Sequence, residues 1–475
     1  MVSFIVIAVA ILGFLLVGTQ LVKRFFKART YYYVASMVEL GWFLAFIRKL
    51  NALGRFVERF STAAIFLGFG VLGVLFYLDG KRVGGMKRHV ITVTYLAFST
   101  AVFWFAFGQA MFRTPLLSPY AVPITVAFGI FGLAGLAVAL LTSWAMVIVQ
   151  QLLVGKQAMP GVAPLIPMVS VPKSQIYVPW HGWISLVIIM VIHEAAHGIL
   201  AMRYGLKLTR AGLLLLGLLP MGAFVDPEEK AFRKLDEQKR TRIYLAGPMA
   251  NILCFVLVVV LMMLLSAMFF VPLQKEIRAY KEPYIEGVVV SSVAKELDIY
   301  GTKLPSPAYG KLSEGMFIRA VNDVNIRSLA DLQHALLRYR EQITLVVEDE
   351  NGMQKTVVLN AADVPAGYIG PRFGFTASEK MRDGFVLPEG LAWKASLAAA
   401  LISFLYWLAM LSLLIGFANF IPLPPLDGGE VAVMMLSSKL ANKGVKKEEV
   451  AKLLSKLLVA FLILLFVLNS LPYFV

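Results

Sequence analysis

The chain has a single cysteine in 475 residues, Cys254, set within an apolar run. An intramolecular disulfide and a zinc knuckle built from several thiolates are therefore excluded. Histidine is also scarce, at five, and the acidic residues number 29 against 45 basic ones, a formal charge of +16. Such an excess in a polar chain would point to nucleic acid, but here 59% of residues are hydrophobic and the mean hydropathy is +0.75. In a membrane protein Lys and Arg gather in the loops of one face and orient the spans. The expected surrounding is a lipid bilayer, with no nucleic-acid partner.

About 20 consecutive apolar residues cross a bilayer as a helix. Eight stretches qualify as candidate spans, at about 2–22, 62–79, 91–112, 121–150, 182–203, 243–272, 391–420 and 452–474. The first lacks a basic leader and a small-residue cleavage site, so it reads as a retained anchor rather than a signal peptide. The stretch 31–47 is apolar but carries Glu39, which suits an amphipathic or re-entrant helix.

Hydrophobic patterning breaks from about 275 to 372, where short alternating runs (287–290, 344–347) are separated by polar and Gly/Pro turns. This is the pattern of an inserted soluble domain with strands, a helix near 329–339 and a hairpin turning at 349–352. Its segment 312–326, preceded by Ser306-Pro307-Ala308, resembles the core of PDZ domains, with Met316 where Asp is common and Asp323 where Gly is common. A PDZ-like module takes extended peptide by adding a strand to its sheet edge, so a peptide or unfolded segment is the implied partner. The alternative is a rigid spacer.

The loop 226–242 carries Lys230, Arg233, Lys234, Lys239, Arg240 and Arg242, and 439–456 is also basic, so both are expected in the cytoplasm and the module outside. One loop breaks this scheme. With eight crossings, Lys81, Arg82, Lys87 and Arg88 would lie outside, against the charge rule.

The run ending Val191-Ile192-His193-Glu194-Ala195-Ala196-His197 places His-x-x-x-His on one face of an apolar helix, where both imidazoles can meet one ion. Glu194 sits about 100° round from His193, able to reach a water on that ion without being a ligand. Two histidines merely hydrogen-bonded in a core are the bland alternative, and ionisable groups within a membrane are usually functional. Catalytic zinc needs a third protein ligand. His89, His181 and His334 fall at span edges or in the module, leaving Asp427 and Glu430 as acidic candidates. Asp427 also suits an N-cap for a helix at 430–437.

These motifs resemble a family. His193-Glu194-x-x-His197 followed by Asn419-x-x-Pro422-x-x-x-Leu426-Asp427-Gly428 is similar to the site-2 protease family of intramembrane zinc metalloproteases. Gly247-Pro248-Met249-Ala250-Asn251 and the segment 219–225 agree with it, and the likeness covers 182–436. It implies a Zn2+ cofactor held by His193, His197 and Asp427, with Glu194 as general base. It also implies that Asn251 and Asn419 hold the substrate backbone or steady the oxyanion, helix–helix contact being their alternative. Gly247, Pro248 and Gly198 read as packing residues. A strand pair near 208–225, with Gly217 and Gly222 at its turns, would receive an unwound substrate.

The expected architecture is a polytopic α-helical membrane protein of about eight transmembrane helices, with a membrane-associated β-hairpin and one inserted PDZ-like α+β domain. Its expected divisions are an N-terminal transmembrane region (1–120), a first catalytic part (121–274), the soluble domain (275–375), and a second catalytic part with the C-terminal helix (376–475). The expected activity is cleavage of transmembrane protein substrates in the cell membrane, with the soluble domain extracytoplasmic. The rival is a non-catalytic scaffold or metal-binding transporter, against which Glu194 argues, since a structural metal site needs no base.

Overall fold

A computed structural model describes residues 2–26, 28–31, 33–113, 118–155, 158–171, 176–299, 302–338, 341–362, 372–440 and 446–474, with the side chains of 2–11, 31, 298, 299 and 302 outside the description. Among the described residues, seven helical stretches are long and apolar enough to cross a membrane. They correspond to seven of the eight candidate spans; the eighth, at 2–22, forms helix α1 (Val2–Phe25). Large apolar side chains such as Phe98, Phe105, Leu257 and Met263 are exposed along these helices, as expected where the solvent is lipid.

The stretch 31–47, expected as an amphipathic or re-entrant helix, is part strand and part helix. β1 (Ala28–Tyr31) and β2 (Ala35–Glu39) form a hairpin, and only α2 (Gly41–Lys49) is helical. The reason lies far along the chain. β2 pairs antiparallel with β3 (Leu208–Leu216), so a distant partner decides a conformation that local hydropathy leaves open. β3 turns through Gly217, at φ +61°, into β4 (Leu219–Pro227), and the four strands run β1-β2-β3-β4. Gly222 sits inside β4 opposite Leu214, not at a turn as expected. β4 packs against α7 (Gly182–Arg203), and among the described residues no strand pairs with its other edge.

Two long helices are folded back on themselves. In α3 (Gly54–Gly80) the bend is at Gly70, φ +54°, and in α6 (Ala121–Leu153) it is at Gly132, φ +61°. Residues eight apart in a straight helix are separated by about 12 Å. Here a Cβ on Gly73 would stand 2.1 Å from the Ile65 carbonyl oxygen, and one on Gly135 would stand 2.4 Å from that of Ala127. Both bends are made by Phe-Gly-x-x-Gly, at Phe69–Gly73 and Phe131–Gly135. The first glycine adopts a backbone that L side chains avoid; the second lets the two arms touch. Tyr95 donates to the carbonyl of Phe66, one turn before the first bend, at 2.7 Å.

The tips of the two bends meet, since a Cβ on Gly70 would lie 2.6 Å from the nitrogen of Gly132. Their arms leave in opposite directions. Gly54 abuts Arg203 at the end of α7 and Gly80 abuts Gln238 at the start of α9 (Glu237–Leu265), so both ends of α3 sit at one end of the bundle. α4 (Gly85–Phe103), a π turn at Trp104–Gly108 and α5 (Gln109–Arg113) lead to the other end, where Thr125 of α6 meets Gly108. After its bend α6 returns to that same end, where Asn469 donates to Leu141 at 2.9 Å.

Beyond β4, the short α8 (Glu229–Lys234) precedes α9, which continues through Ser266–Phe270 into α10 (Val271–Lys281). The inserted module then contributes β5 (Ile285–Val293), β6 (Glu296–Ile299), β7 (Thr302–Pro305), β8 (Phe317–Val321), β9 (Val324–Asn325), α11 (Leu329–Arg338), β10 (Gln342–Glu348), β11 (Gln354–Asn360) and β12 (Phe375–Met381). Its main sheet runs β11-β10-β8-β5-β12, closed over a core that includes Val288, Ile318, Leu345 and Leu359. Arg319 donates to both oxygens of Glu348 at 3.0 and 3.1 Å, and these bonds hold that carboxyl below the usual carboxylate range. β12 pairs along β5, so the sheet continues to Met381, past the expected division at 375. The chain returns through α12 (Glu389–Ala418), α13 (Asp427–Leu440) and α14 (Lys447–Ser470).

Candidate metal centre

α7 is apolar for most of its length, ends on Arg203, and is surrounded by α3, α9, α12 and β4. Its histidines are therefore held in a crowded interior. The rings of His193 and His197 lie 4.7 Å apart, one turn along the helix. Their Nε2 atoms converge on Asp427 Oδ2, at 3.1 and 3.4 Å. One ligand atom from each of His193, Glu194 and His197 lies within 4.8 Å of the others.

Asp427 reaches this position because the chain before it cannot continue α12. Pro422, Pro424 and Pro425 interrupt the helix, and the Pro424–Pro425 peptide is cis. Gly428 N donates to the Asn419 carbonyl at 2.7 Å, closing the loop on itself. A Cβ on Gly428 would fall 2.6 Å from the carbonyl carbon of Phe420, and one on Gly429 2.2 Å from that of Leu423. Only glycine fits so close to backbone. Asp427 is the first residue of α13, three before the expected helix start at 430, and its carboxylate is turned towards both imidazoles.

This donor set fits a tetrahedral divalent ion. Ligands bound at about 2.0–2.2 Å with tetrahedral angles stand roughly 3.4 Å from one another. The histidine-to-aspartate separations match that spacing. A Cβ on Gly247 would stand 2.4 Å from His197 Nε2 and 2.5 Å from His193 Nε2, so this glycine keeps open the space into which both donor nitrogens point. Behind the ring of His197, Nδ1 donates to the Ile243 carbonyl at 2.7 Å.

Two cavities meet at the centre. One, of about 740 Å3, is bordered by polar groups including Arg210, Asp226, Glu228 and Tyr244. The other, of about 510 Å3, is bordered by apolar ones including Leu165, Trp183, Met190, Met221 and Ile415. His193, Glu194 and Asn419 border both, whereas Asp427 borders the polar cavity alone. Glu430, the other acidic candidate, borders neither.

The two asparagines part company. Asn419 lies on the wall between the cavities, its Nδ2 donating to the Ile415 carbonyl at 2.9 Å. Asn251 is fully buried behind His193, with its Nδ2 3.0 Å from His193 Nδ1, and borders neither cavity. Of the remaining histidines, His89 bonds the Gly85 carbonyl, His181 meets Ser403 Oγ at 3.1 Å, and His334 lies on α11 of the module. The sequence marks Gly247 as a packing residue and does not single out Ile243. The available signal was the spacing of 243, 247 and 251, which share one face of α9.

A His-Glu-x-x-His helix whose two donors meet an aspartate from a distant helix defines a metallopeptidase type of centre. The model of peptidase family M50 matches residues 181–465, more than half of the chain. The chain belongs to that family, the family of site-2 proteases, and membership supports a metallopeptidase. An uncharacterized protein of Methanocaldococcus jannaschii is 37% identical over 130 residues, 27% of this chain and 34% of that protein. The match thus spans about a third of that relative's length. Together with the apolar helices, family membership points to a multi-pass membrane protein.

Proposed function

We propose that the chain is a zinc metalloendopeptidase that hydrolyses peptide bonds in the membrane-spanning segments of other membrane proteins. The observation that carries this reading is the position of Glu194, beside the convergence of His193, His197 and Asp427 and on the wall shared by two cavities. His193, His197 and Asp427 would hold the ion, which supplies Lewis acidity and makes a water nucleophilic near neutral pH. Glu194 takes the proton of the attacking water and delivers it to the leaving amine. Asn419 hydrogen-bonds the substrate backbone as it passes from one cavity to the other.

A peptide bond in a helix is already hydrogen-bonded, so a substrate unwinds before it is cut, and its freed N–H and C=O groups need partners. The outer edge of β4 offers them by strand addition. Residues Leu219 to Ala223 of this strand border the apolar cavity, which suits an apolar side chain of the substrate. The module, read as PDZ-like, takes a peptide or unfolded segment beside β12, the edge strand of its sheet that lies next to α11.

On this reading α3 and α6 are re-entrant rather than crossing. The basic loop at 81–88 then lies on the same face as 226–242 and 439–456, since Gln238 donates to the Phe76 carbonyl at 2.8 Å and Lys439 bonds Asp79. The conflict in loop charges disappears, that face is cytoplasmic, and the module is extracytoplasmic. In a Cys254→Ser background, Gly84→Cys and Lys230→Cys will react with an impermeant thiol reagent from one side of sealed vesicles and Glu314→Cys from the other. Labelling of residue 84 together with 314 would overturn the two re-entrant assignments.

The function is tested on purified protein with a single-pass membrane substrate. The wild type is expected to hold one zinc per chain and to cut within the apolar segment. Asp427→Asn is expected to lose at least tenfold in zinc affinity and all measurable turnover, since it replaces an anionic ligand with a neutral one. A variant that keeps both metal and turnover would remove Asp427 from the ligand set. A wild type that holds zinc and cuts no membrane substrate would favour the scaffold.

A further inference from the structure

Two polar contacts on one face of α9 bracket the imidazoles from behind. The Ile243 carbonyl can only accept, so His197 Nδ1 carries the hydrogen in their 2.7 Å bond, and Nε2 keeps the lone pair that a metal needs. His193 faces the same requirement. Its Nε2 points to Asp427, and its Nδ1 lies 3.0 Å from the Asn251 amide.

Asn251 offers Nδ2 to this nitrogen, while its buried Oδ1 has no partner among the described residues. In that arrangement Nδ1 accepts, Nε2 carries the hydrogen, and His193 cannot ligate. An unpartnered buried acceptor also costs about 1–3 kcal/mol. Turning the amide by a half rotation exchanges O and N in almost the same space, and the two orientations are told apart only by their hydrogen bonds. After the exchange Oδ1 accepts from Nδ1–H, and both histidines share one tautomer.

We propose that Asn251 is a positioning residue for the metal: its Oδ1 accepts from His193 Nδ1–H and so frees His193 Nε2 to bind the ion. This rests on the metallopeptidase reading above. It departs from the substrate contact that the motif resemblance implies, because Asn251 is fully buried and borders neither cavity. It also gives the whole Gly-Pro-x-x-Asn segment one purpose. Ile243, Gly247 and Asn251 recur every four residues: a carbonyl for one ring, open space for both donor nitrogens, and an amide for the other ring. Pro248 lacks the N–H that would bond the carbonyl of residue 244, which loosens α9 in the turn that grips His197.

The test compares Asn251→Leu, which fills the space without an acceptor, with Asn251→Asp, which keeps an acceptor at the same distance. Zinc affinity is measured on the purified full chain by competition with a chelator, and KM is measured at saturating zinc. Loss of such an outer partner typically costs about 10–100-fold in metal affinity. The Leu variant is expected to fall in that range with KM unchanged, and the Asp variant to stay within about threefold of wild type. Wild-type affinity in the Leu variant with a raised KM would make Asn251 a substrate contact and overturn the proposal. If the Leu variant does not fold, the Asp variant decides: retained zinc supports the proposal, and a tenfold loss or more overturns it. A wild type that binds no zinc would instead defeat the metallopeptidase reading itself.

Discussion

Exchanging Glu194 for Gln will leave the metal in place and remove peptide hydrolysis, lowering kcat by about 10²–10⁴-fold. The amide matches the carboxylate in size and still accepts a hydrogen bond, so the two cavities that Glu194 borders keep their shape. What it cannot do is take a proton. His193, His197 and Asp427 would supply the three protein ligands of a catalytic zinc, so ligation survives the exchange. Metal content by elemental analysis and cleavage of a membrane substrate are measured on the same preparation. Cleavage that persists in the variant would exclude Glu194 as the base, and loss of metal with activity would make it a ligand.

The legible part of this protein was the part written at short range. His193 and His197 share a face because they are four residues apart on one helix, and no distant contact is needed to see it. Asp427 lies 234 residues beyond His193, and only its setting among three prolines and two glycines, with the family likeness, singled it out. Ile243 was invisible for another reason: it acts through a backbone carbonyl that every residue type possesses. β1 and β2 take their form from β3, far along the chain, so their local composition misled.

The bends in α3 and α6 were hidden for a thermodynamic reason. A run of apolar residues has the same hydropathy whether it crosses the bilayer or turns back within it, and the turning residue is one glycine among many. On the re-entrant reading proposed above, the charge of the loop at 81–88 is the sequence feature that registers the bends. With eight crossings its four basic residues fall on the face that the charge rule disfavours, and two re-entrant segments would return them to the other. Loop charge reports on the ends of a segment, which the apolar content of its middle does not.

Placing a methyl group on Gly132 will destabilise the protein by about 3 kcal/mol or more, the sum of a backbone conformation that only glycine takes readily and a steric clash. At φ +61° and ψ −145° the residue lies where an alanine is strained whatever the space around it. There is also no space. The new Cβ would stand 2.3 Å from the Leu67 carbonyl oxygen and 2.6 Å from the carbonyl carbon of Gly68, both backbone atoms that cannot rotate away. The strain has a short path to the metal centre, because a Cβ on Gly68 would already touch the ring of Phe420 at 2.5 Å, and Phe420 packs on Gly428 beside Asp427. Gly132→Ala should therefore lower the thermal midpoint in detergent and also shrink the rise in midpoint that added zinc gives the wild type, since a ligand stabilises only the state that binds it. Gly390→Ala is the control, with no atom within 4 Å of the added carbon, and on helix α12 it should lower neither quantity. An unaltered midpoint for Gly132→Ala would mean that α6 runs straight, and with it the contact between the two bends would fall. A lowered midpoint with an undiminished zinc response would keep the bend and separate it from the centre, leaving Phe420 without the role of carrying strain from one to the other.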